Sequence, residues 1–425
     1  MGLNKYFCLK KLKTMIKKIL AAGLFLSSLY SKGQITKDTV SIGAGYALQK
    51  WYSLQNDEQG SAPKNNWDIA FETSGMGSGI FINSVTGTKL WVYPNGDTTA
   101  WNTLDTTGIS SWKPYYNSDT SWSIGAFNKG KTNNPNDWGW GIYNTITHQV
   151  IGDSIYVIKL SDNTYKKIWI KKLASGTYYF QYSDLNGNNL QNVSISKTPY
   201  NSKTLIYYSI QTNSVVDREP PSSQWDLLFT QYTAFVPSPY NVTGVLMNKG
   251  VTAVKVYPVD TSYMQWYNHS FNTAINTIGY NWKNYSGGWQ IEDSLVYFVK
   301  SKQGDIWKVI FTGFGGSANG NYIFIKQKVS AVSVSEFSNS NNTLMLYPNP
   351  AEDIIQLISF DTNEFNEIKE LSIFSPDGKK WTLESINTGM DPFTLKINTD
   401  MLTPGLYFLS VTTKNQKSII KFIKK

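Results

Sequence analysis

Few side chains in this 425-residue chain can do covalent or metal chemistry, and those few are scattered. There are two histidines, His148 and His269, and one cysteine, Cys8. No Gly-x-Ser-x-Gly elbow and no His-Glu-x-x-His helix occurs, so nucleophilic acyl transfer and zinc hydrolysis are not expected. The cluster Gly313, Phe314, Gly315, Gly316 lacks the Lys-Ser/Thr of a phosphate loop and reads as a turn or bulge. A glycosidase needs only two carboxylates. The acids here, however, sit mostly in turn contexts such as Asn95-Gly96-Asp97, Ser118-Asp119 and Ser161-Asp162-Asn163, where they serve backbone geometry. The chain is therefore read as non-enzymatic. Its sharpest local feature is residues 136–144, where Trp138 and Trp140 at i and i+2 would share one face of a strand with glycines beside them. That pattern suits an aromatic platform for a sugar or porphyrin ring, although core packing is its more ordinary use.

The elements that would position such residues are bounded by a leader. Lys5, Lys10, Lys11, Lys13, Lys17 and Lys18 precede an uncharged apolar run at 19–29, with small or polar residues at Ser31, Gly33 and Gln34. This is the layout of a cleaved signal peptide, here 1–33, with Met1 or Met15 as the start. The run is too short to span a membrane, so no transmembrane segment is expected in the mature chain. Seven of the 39 basic residues and none of the 30 acidic ones fall in 1–33, leaving 32 against 30. Such a balance gives no nucleic-acid footprint. Cys8 would leave with the leader, so the mature protein would hold no disulfide, Cys-ligated metal or thiol nucleophile.

Downstream the sequence repeats itself. Trp67-Asp68-Ile69-Ala70-Phe71 recurs as Trp225-Asp226-Leu227-Leu228-Phe229, Asn83 as Asn248, residues 90–94 as 254–258, and Asp153-Ser154-Ile155 as Asp293-Ser294-Leu295. Both copies close alike, with Lys167-Ile168-Trp169-Ile170 against Lys308-Val309-Ile310-Phe311, then Gly176 to Phe180 against Gly320 to Phe324. Order is kept while the separation is 158 residues at Trp67, 165 at Asn83 and 140 at Asp153, which marks two diverged copies, 34–190 and 191–331. Each reads as β: apolar residues alternate with polar ones at 167–171 and 320–327, with Gly, Asn, Asp and Ser clusters between. Alternation would put Trp67 and Phe71 on one face of a strand, and Trp225, Leu227 and Phe229 on its counterpart. Asp68 and Asp226 would then accept turn or backbone hydrogen bonds.

Residues 332–343, rich in Ser and Asn, fit a linker. The last segment, 344–425, alternates at 354–358, 371–374 and 407–411, with Pro376-Asp377-Gly378 as a turn. The expected architecture is all-β: two tandem antiparallel domains and a small C-terminal β-sandwich, about seven short strands.

Two resemblances follow. The tail, with Leu346, Tyr347, Pro348, Asn349, Pro350, then Gly405, Leu406, Tyr407, Phe408 and the basic end containing Lys421 and Lys424, resembles the type A C-terminal sorting domain of type IX secretion. It implies passage through the periplasm of a Gram-negative bacterium, contact with the type IX machinery, and an end point at the outer cell surface or beyond. Residues 66–71, the Gly-rich 75–79 and the hairpin motifs at 165–170 and 176–180, matched at 225–229, 306–311 and 320–324, resemble the HmuY family of secreted haem-binding β proteins. That resemblance implies haem or another porphyrin as ligand, held by axial His or Met. His148, His269, Met76, Met247 and Met264 are the side chains available for it. Neither histidine has a histidine at the matching place of the other copy, since His148 aligns near Gly288 and His269 near Leu104. The alternative is a surface adhesive or structural protein, a glycan binder among them, that keeps the fold without a haem site.

Overall fold

The computed structural model describes residues 35–329, 344–359, 368–383, 394–413 and 417–425. The expected leader (1–33) and linker (332–343) lie outside the described residues. The chain divides into two compact units, up to Ala331 and from Val332.

Turn residues cut the first unit into short strands. Before residue 190 they are β1 (Thr36–Ser41), β2 (Leu48–Ser53), β3 (Asp57–Pro63), β4 (Ile69–Glu72), β5 (Ile80–Ile82), β6 (Lys89–Val92), β7 (Gly141–Asn144), β8 (Gln149–Gly152), β9 (Tyr156–Lys159), β10 (Tyr165–Ala174) and β11 (Thr177–Asp184). After it come β12 (Gln191–Ser196), β13 (Leu205–Ser209), β14 (Ser214–Val216), β15 (Leu227–Phe235), β16 (Pro239–Met247), β17 (Thr252–Val256), β18 (Lys283–Tyr285), β19 (Trp289–Ile291), β20 (Val296–Lys300), β21 (Ile306–Phe314) and β22 (Asn321–Lys328). One short helix, Gly316–Asn319, precedes β22.

These strands make two antiparallel sandwiches of the same plan. In the first, the sheet β6-β9-β10-β11-β12, which β8 and β7 join beyond a bulge in β10, packs on β14-β13-β4-β5. In the second, β17-β20-β21-β22-β1, with an equivalent bulge in β21, packs on β3-β2-β15-β16. Phe71 meets Tyr178 and Phe180 at 4.8 and 5.2 Å between ring centroids, and Phe229 meets Tyr322 and Phe324 at 4.9 and 5.7 Å. The cores are thus the two hairpin motifs packed on the two Trp-Asp strands, and each buried aromatic contributes about 1.5–3 kcal/mol.

The sandwiches do not coincide with the sequence copies. β12, β13 and β14 lie after residue 190 yet complete the first sandwich, with Tyr208 opposite Ile69. Strands β1, β2 and β3 lie before it and complete the second, with Tyr52 opposite Leu227 and Val40 opposite Tyr322. Each copy gives its first three strands to the other. A further repeat accompanies the exchange: Trp51-Tyr52-Ser53-Leu54-Gln55 recurs as Tyr207-Tyr208-Ser209-Ile210-Gln211.

Pairing also corrects the face expected for the Trp-Asp strands. Ile69 and Phe71 point into the first core, but Trp67 packs with Ala70 and Phe81 on the opposite side, as Trp225 does with Leu228. Alternation holds only where strand geometry holds, and β4 begins at Ile69 while Trp67 and Asp68 belong to the turn before it. The outer faces so built form a seam between the sandwiches. Trp122 packs against both sides, and the Arg218 guanidinium lies 4.9, 5.5 and 5.9 Å from the ring centres of Tyr207, Trp51 and Trp67.

The second unit contains seven strands among its described residues: β23 (Leu344–Tyr347), β24 (Ile354–Ser359), β25 (Ile368–Phe374), β26 (Lys380–Thr382), β27 (Thr394–Asn398), β28 (Gly405–Thr413) and β29 (Lys417–Lys424). They form sheets β23-β24-β27 and β26-β25-β28-β29 over one core that includes Ile355, Leu357, Ile373, Leu409 and Phe422. Ser375 to Lys379 make the expected turn, with Gly378 at φ 88°.

Candidate functional site

The Trp-Asp aspartates do the same job in both sandwiches. Asp68 accepts the backbone N–H of Ile210 at 2.8 Å and of Gln211 at 3.3 Å, and Asp226 accepts that of Leu54 at 2.8 Å. Each pins the turn that follows the exchanged strand. Asn83 and Asn248 lock the preceding turns, donating to the carbonyls of Lys64 and Trp67 and of Ser222 and Trp225, at 2.6–2.9 Å. With the frames equal, differences between the halves stand out.

One difference opens a cleft beside Asp226. The turns between β9 and β10 and between β20 and β21 match bond for bond: Leu160 N–H to the Thr164 carbonyl, and Ser301 N–H to the Asp305 carbonyl, both 2.9 Å. Leu160 fills the first core, whereas its counterpart Ser301 is a hydroxyl, 6% exposed, whose Oγ has no hydrogen-bond partner. In the first half Gln211 also bridges Asp68 Oδ1 and Ser161 Oγ, at 3.1 Å each. In the second half Lys302 takes the place of Ser161 and turns away, its Nζ donating to the Ser222 carbonyl at 2.6 Å. The result is a cleft of about 150 Å³ lined by Gln55, Gln224, Asp226, Ser301, Gln303 and Trp307, among others. Burial holds the Asp226 carboxyl above its ordinary range, against the lowering effect of the Leu54 amide and Ser53.

The residues singled out from the sequence fall elsewhere, in two groups and three isolated places. His148 is exposed in the β7–β8 turn, with Nδ1 2.8 Å from Tyr143 Oη, and Trp138 stacks on that tyrosine at 5.4 Å. In the second half His269 Nε2 lies 2.8 Å from Tyr263 Oη, next to Met264, whose sulfur accepts from Lys308 Nζ at 3.5 Å. Met76 is exposed in the Gly-rich segment, and Met247 is fully buried in the second core. Trp140 is sealed in the first core and donates to the Ser78 carbonyl at 3.0 Å. It is separated from half-buried Trp138 by Gly139 at φ 93°, so the two rings share no open face.

Sequence reasoning passed over three buried charges. Lys197 donates to the carbonyls of Ser74, Gly75 and Gly77, and burial lowers its pKa to about 8. Lys283 donates to the Thr243 carbonyl at 2.6 Å, lies 4.5 Å from the ring centre of Trp282 and 4.6 Å from that of Phe314, and is lowered by burial to about 7. Glu219 accepts the amides of Thr204 and Leu205 and the Tyr207 hydroxyl, and burial raises it to about 7. Among the described residues no group of three or more His, Cys, Asp or Glu side chains is placed to hold a metal ion. The cleft residues could have been found by setting Leu160 against Ser301 once the copies were aligned.

In the second unit the tail signature is a clamp. Asn349 accepts the Ile423 amide at 2.9 Å and donates to the Lys421 carbonyl at 3.2 Å, while Ala351 and Ile423 pair through their backbones at 2.6 Å. Lys424 reaches Asp353 at 3.2 Å. Tyr407 is buried against Phe422, Gly405 opens β28, and Tyr347 stays exposed beside Pro348 and Pro350. The chain thus belongs to the class of all-β proteins that end in a separate small sandwich whose last strand ties down its first loop. Residues 345–425 match the family model of the secretion system C-terminal sorting domain. That domain marks the protein for export by the type IX machinery, to be secreted or attached to the cell surface. No curated protein and no solved structure matches the chain. Among the described residues no helix is long and apolar enough to cross a membrane.

Proposed function

We propose that this protein is a non-enzymatic glycan-binding protein that works outside the cell, its fused sandwiches serving as the display scaffold and its tail as the export signal. The observation that carries the reading is a set of exposed aromatic rings on hairpins of the second sandwich: Phe235 and Tyr240 on β15–β16, Tyr285 and Trp289 on β18–β19. Tyr240 and Tyr285 are 67% and 69% exposed. Phe235 is held against Tyr116 at 6.2 Å and Tyr285 against Trp289 at 5.3 Å, so ring faces fixed by aromatic neighbours remain open to the C–H faces of sugars. Glycan-array binding by the purified full chain, reduced in Tyr285→Ala and Trp289→Ala, is the expected result; an array with no signal above background refutes it.

Porphyrin binding is the second reading, supported by the HmuY-like motifs and by one contact. Tyr143 holds His148 through Nδ1, which leaves Nε2 as the free ligand atom beside the Trp138–Tyr143 stack. Absorbance titration with haemin separates the two readings: a saturable Soret band lost in His148→Ala supports it, and no band sinks it.

A further inference from the structure

We infer that the cleft between the β20–β21 turn and the turn after β2 is a saccharide subsite, taking one neutral pyranose edge-on. The inference rests on the glycan-binding reading and adds to it a contact point at the Leu227 end of β15, the end away from Phe235. The two sandwiches act as each other's control. Where the first fills this position with Leu160 and closes it with the Gln211 bridge from Asp68 to Ser161, the second has Ser301, Gln55 and Lys302. Substituting Ser for Leu removes volume and leaves a hydroxyl, 6% exposed, with no partner for Oγ. A buried hydroxyl without a partner has lost its water without gaining a replacement bond. That loss is relieved when a ligand supplies a hydroxyl.

The chemistry of the walls selects the ligand. Gln55, Gln224 and Gln303 each offer donors and an acceptor, Asp226 offers acceptors, and Ser301 offers both. Alternating donors and acceptors match a row of vicinal hydroxyls, each of which donates once and accepts. Trp307, 7% exposed, is the aromatic side chain of the lining and gives the cleft its apolar wall. Asp226 disfavours anions such as phosphate or uronate, Asp305 being paired with Lys328 at 2.8 Å. At about 150 Å³ the cleft holds several times what one water occupies and suits a single ring.

The test uses the full chain in saturation-transfer NMR with glucose, galactose, mannose and N-acetylglucosamine, alongside the glycan array. Ser301→Leu puts into the cleft the side chain that the first sandwich carries there. It is expected to keep the thermal midpoint and to cut hexose binding at least tenfold. Gln224→Ala and Gln303→Ala, both at the rim, provide the same reading should Ser301→Leu fail to fold, each with a several-fold loss. Hexose binding that persists unchanged in all three variants, or array binding without any hexose signal in the parent chain, overturns the subsite while leaving glycan binding standing. Absence of both array and hexose signals in the parent chain overturns both.

Discussion

The exchange of strands between the sequence copies makes a prediction that local structure alone would not. Tyr52 belongs to the first copy, yet its ring is edge-on to Phe229 at 5.7 Å and Phe324 at 5.5 Å, and its hydroxyl receives Lys326 Nζ at 2.5 Å. Its counterpart Tyr208 belongs to the second copy and packs on Phe180 at 5.3 Å. Truncating a core aromatic to alanine costs about 3–5 kcal/mol, and the lost hydroxyl contact with Lys326 adds about 1 kcal/mol. Tyr52→Ala should therefore cost about 4–6 kcal/mol, near the lower end of a domain's total stability. At about 1.4 kcal/mol per factor of ten, that is about three orders of magnitude or more in the opening equilibrium of the sandwich it supports. Hydrogen exchange read by mass spectrometry on the full chain is the assay. In Tyr52→Ala the amides of β15, β21 and β22 should lose protection while those of β4, β10 and β11 keep theirs; in Tyr208→Ala the pattern should invert. Loss of protection in β4, β10 and β11 in Tyr52→Ala, with β15, β21 and β22 kept, would refute the exchange.

Three further outcomes follow from buried groups. Glu219, raised to about 7 from an ordinary 4.5, gives its full stability below pH 4.5 and loses it as pH rises through 7. Urea melts should show stability falling by about 3 kcal/mol across that window, and Glu219→Gln should flatten the slope; a parent profile that is flat or rising refutes this. Asn83→Ala and Asn248→Ala each strand two carbonyls and should cost about 2–4 kcal/mol by chemical denaturation, with Asn248→Ala the costlier because its Oδ1 also accepts the Thr204 hydroxyl at 3.2 Å. A Cβ at Gly152 would fall inside the Ile170 carbonyl, so Gly152→Ala should shift the β8–β10 pairing and lower the thermal midpoint, whereas Gly187→Ala, with open space around it and φ 91°, should cost about 1 kcal/mol from backbone strain alone.

What could be read from the sequence was what lies close together along it. The Trp-Asp motifs, the asparagines that lock their turns and the closing hairpins are each set by a few adjacent residues, and all take equivalent places in the two sandwiches. The tail was legible for the same reason: Asn349 and the basic end keep fixed positions relative to one short unit. Strand exchange was not legible, because pairing Val40 with Tyr322 depends on contacts that no local periodicity encodes. The repeat of 51–55 at 207–211 was its trace. The face of Trp67 was misread by carrying alternation through a turn. The cleft escaped notice because it arises from a missing side chain at Ser301 and from amides brought in by three separate segments.

The same exchange bears on how copies of the chain treat one another. Strands β1 to β3 find their place in the second sandwich of their own molecule because the intervening chain keeps them at high effective concentration. Offered to the second sandwich of a neighbour, they would make an identical joint that leaves the donating molecule with its acceptor open and the receiving molecule with its own strands unplaced. Returned reciprocally, such a joint closes as a strand-exchanged dimer; passed on head to tail, it propagates to further copies. Self-closure thus separates a chain closed on itself from an assembly built by the same contacts, and any step that delays the meeting of β1 with β22 selects between them.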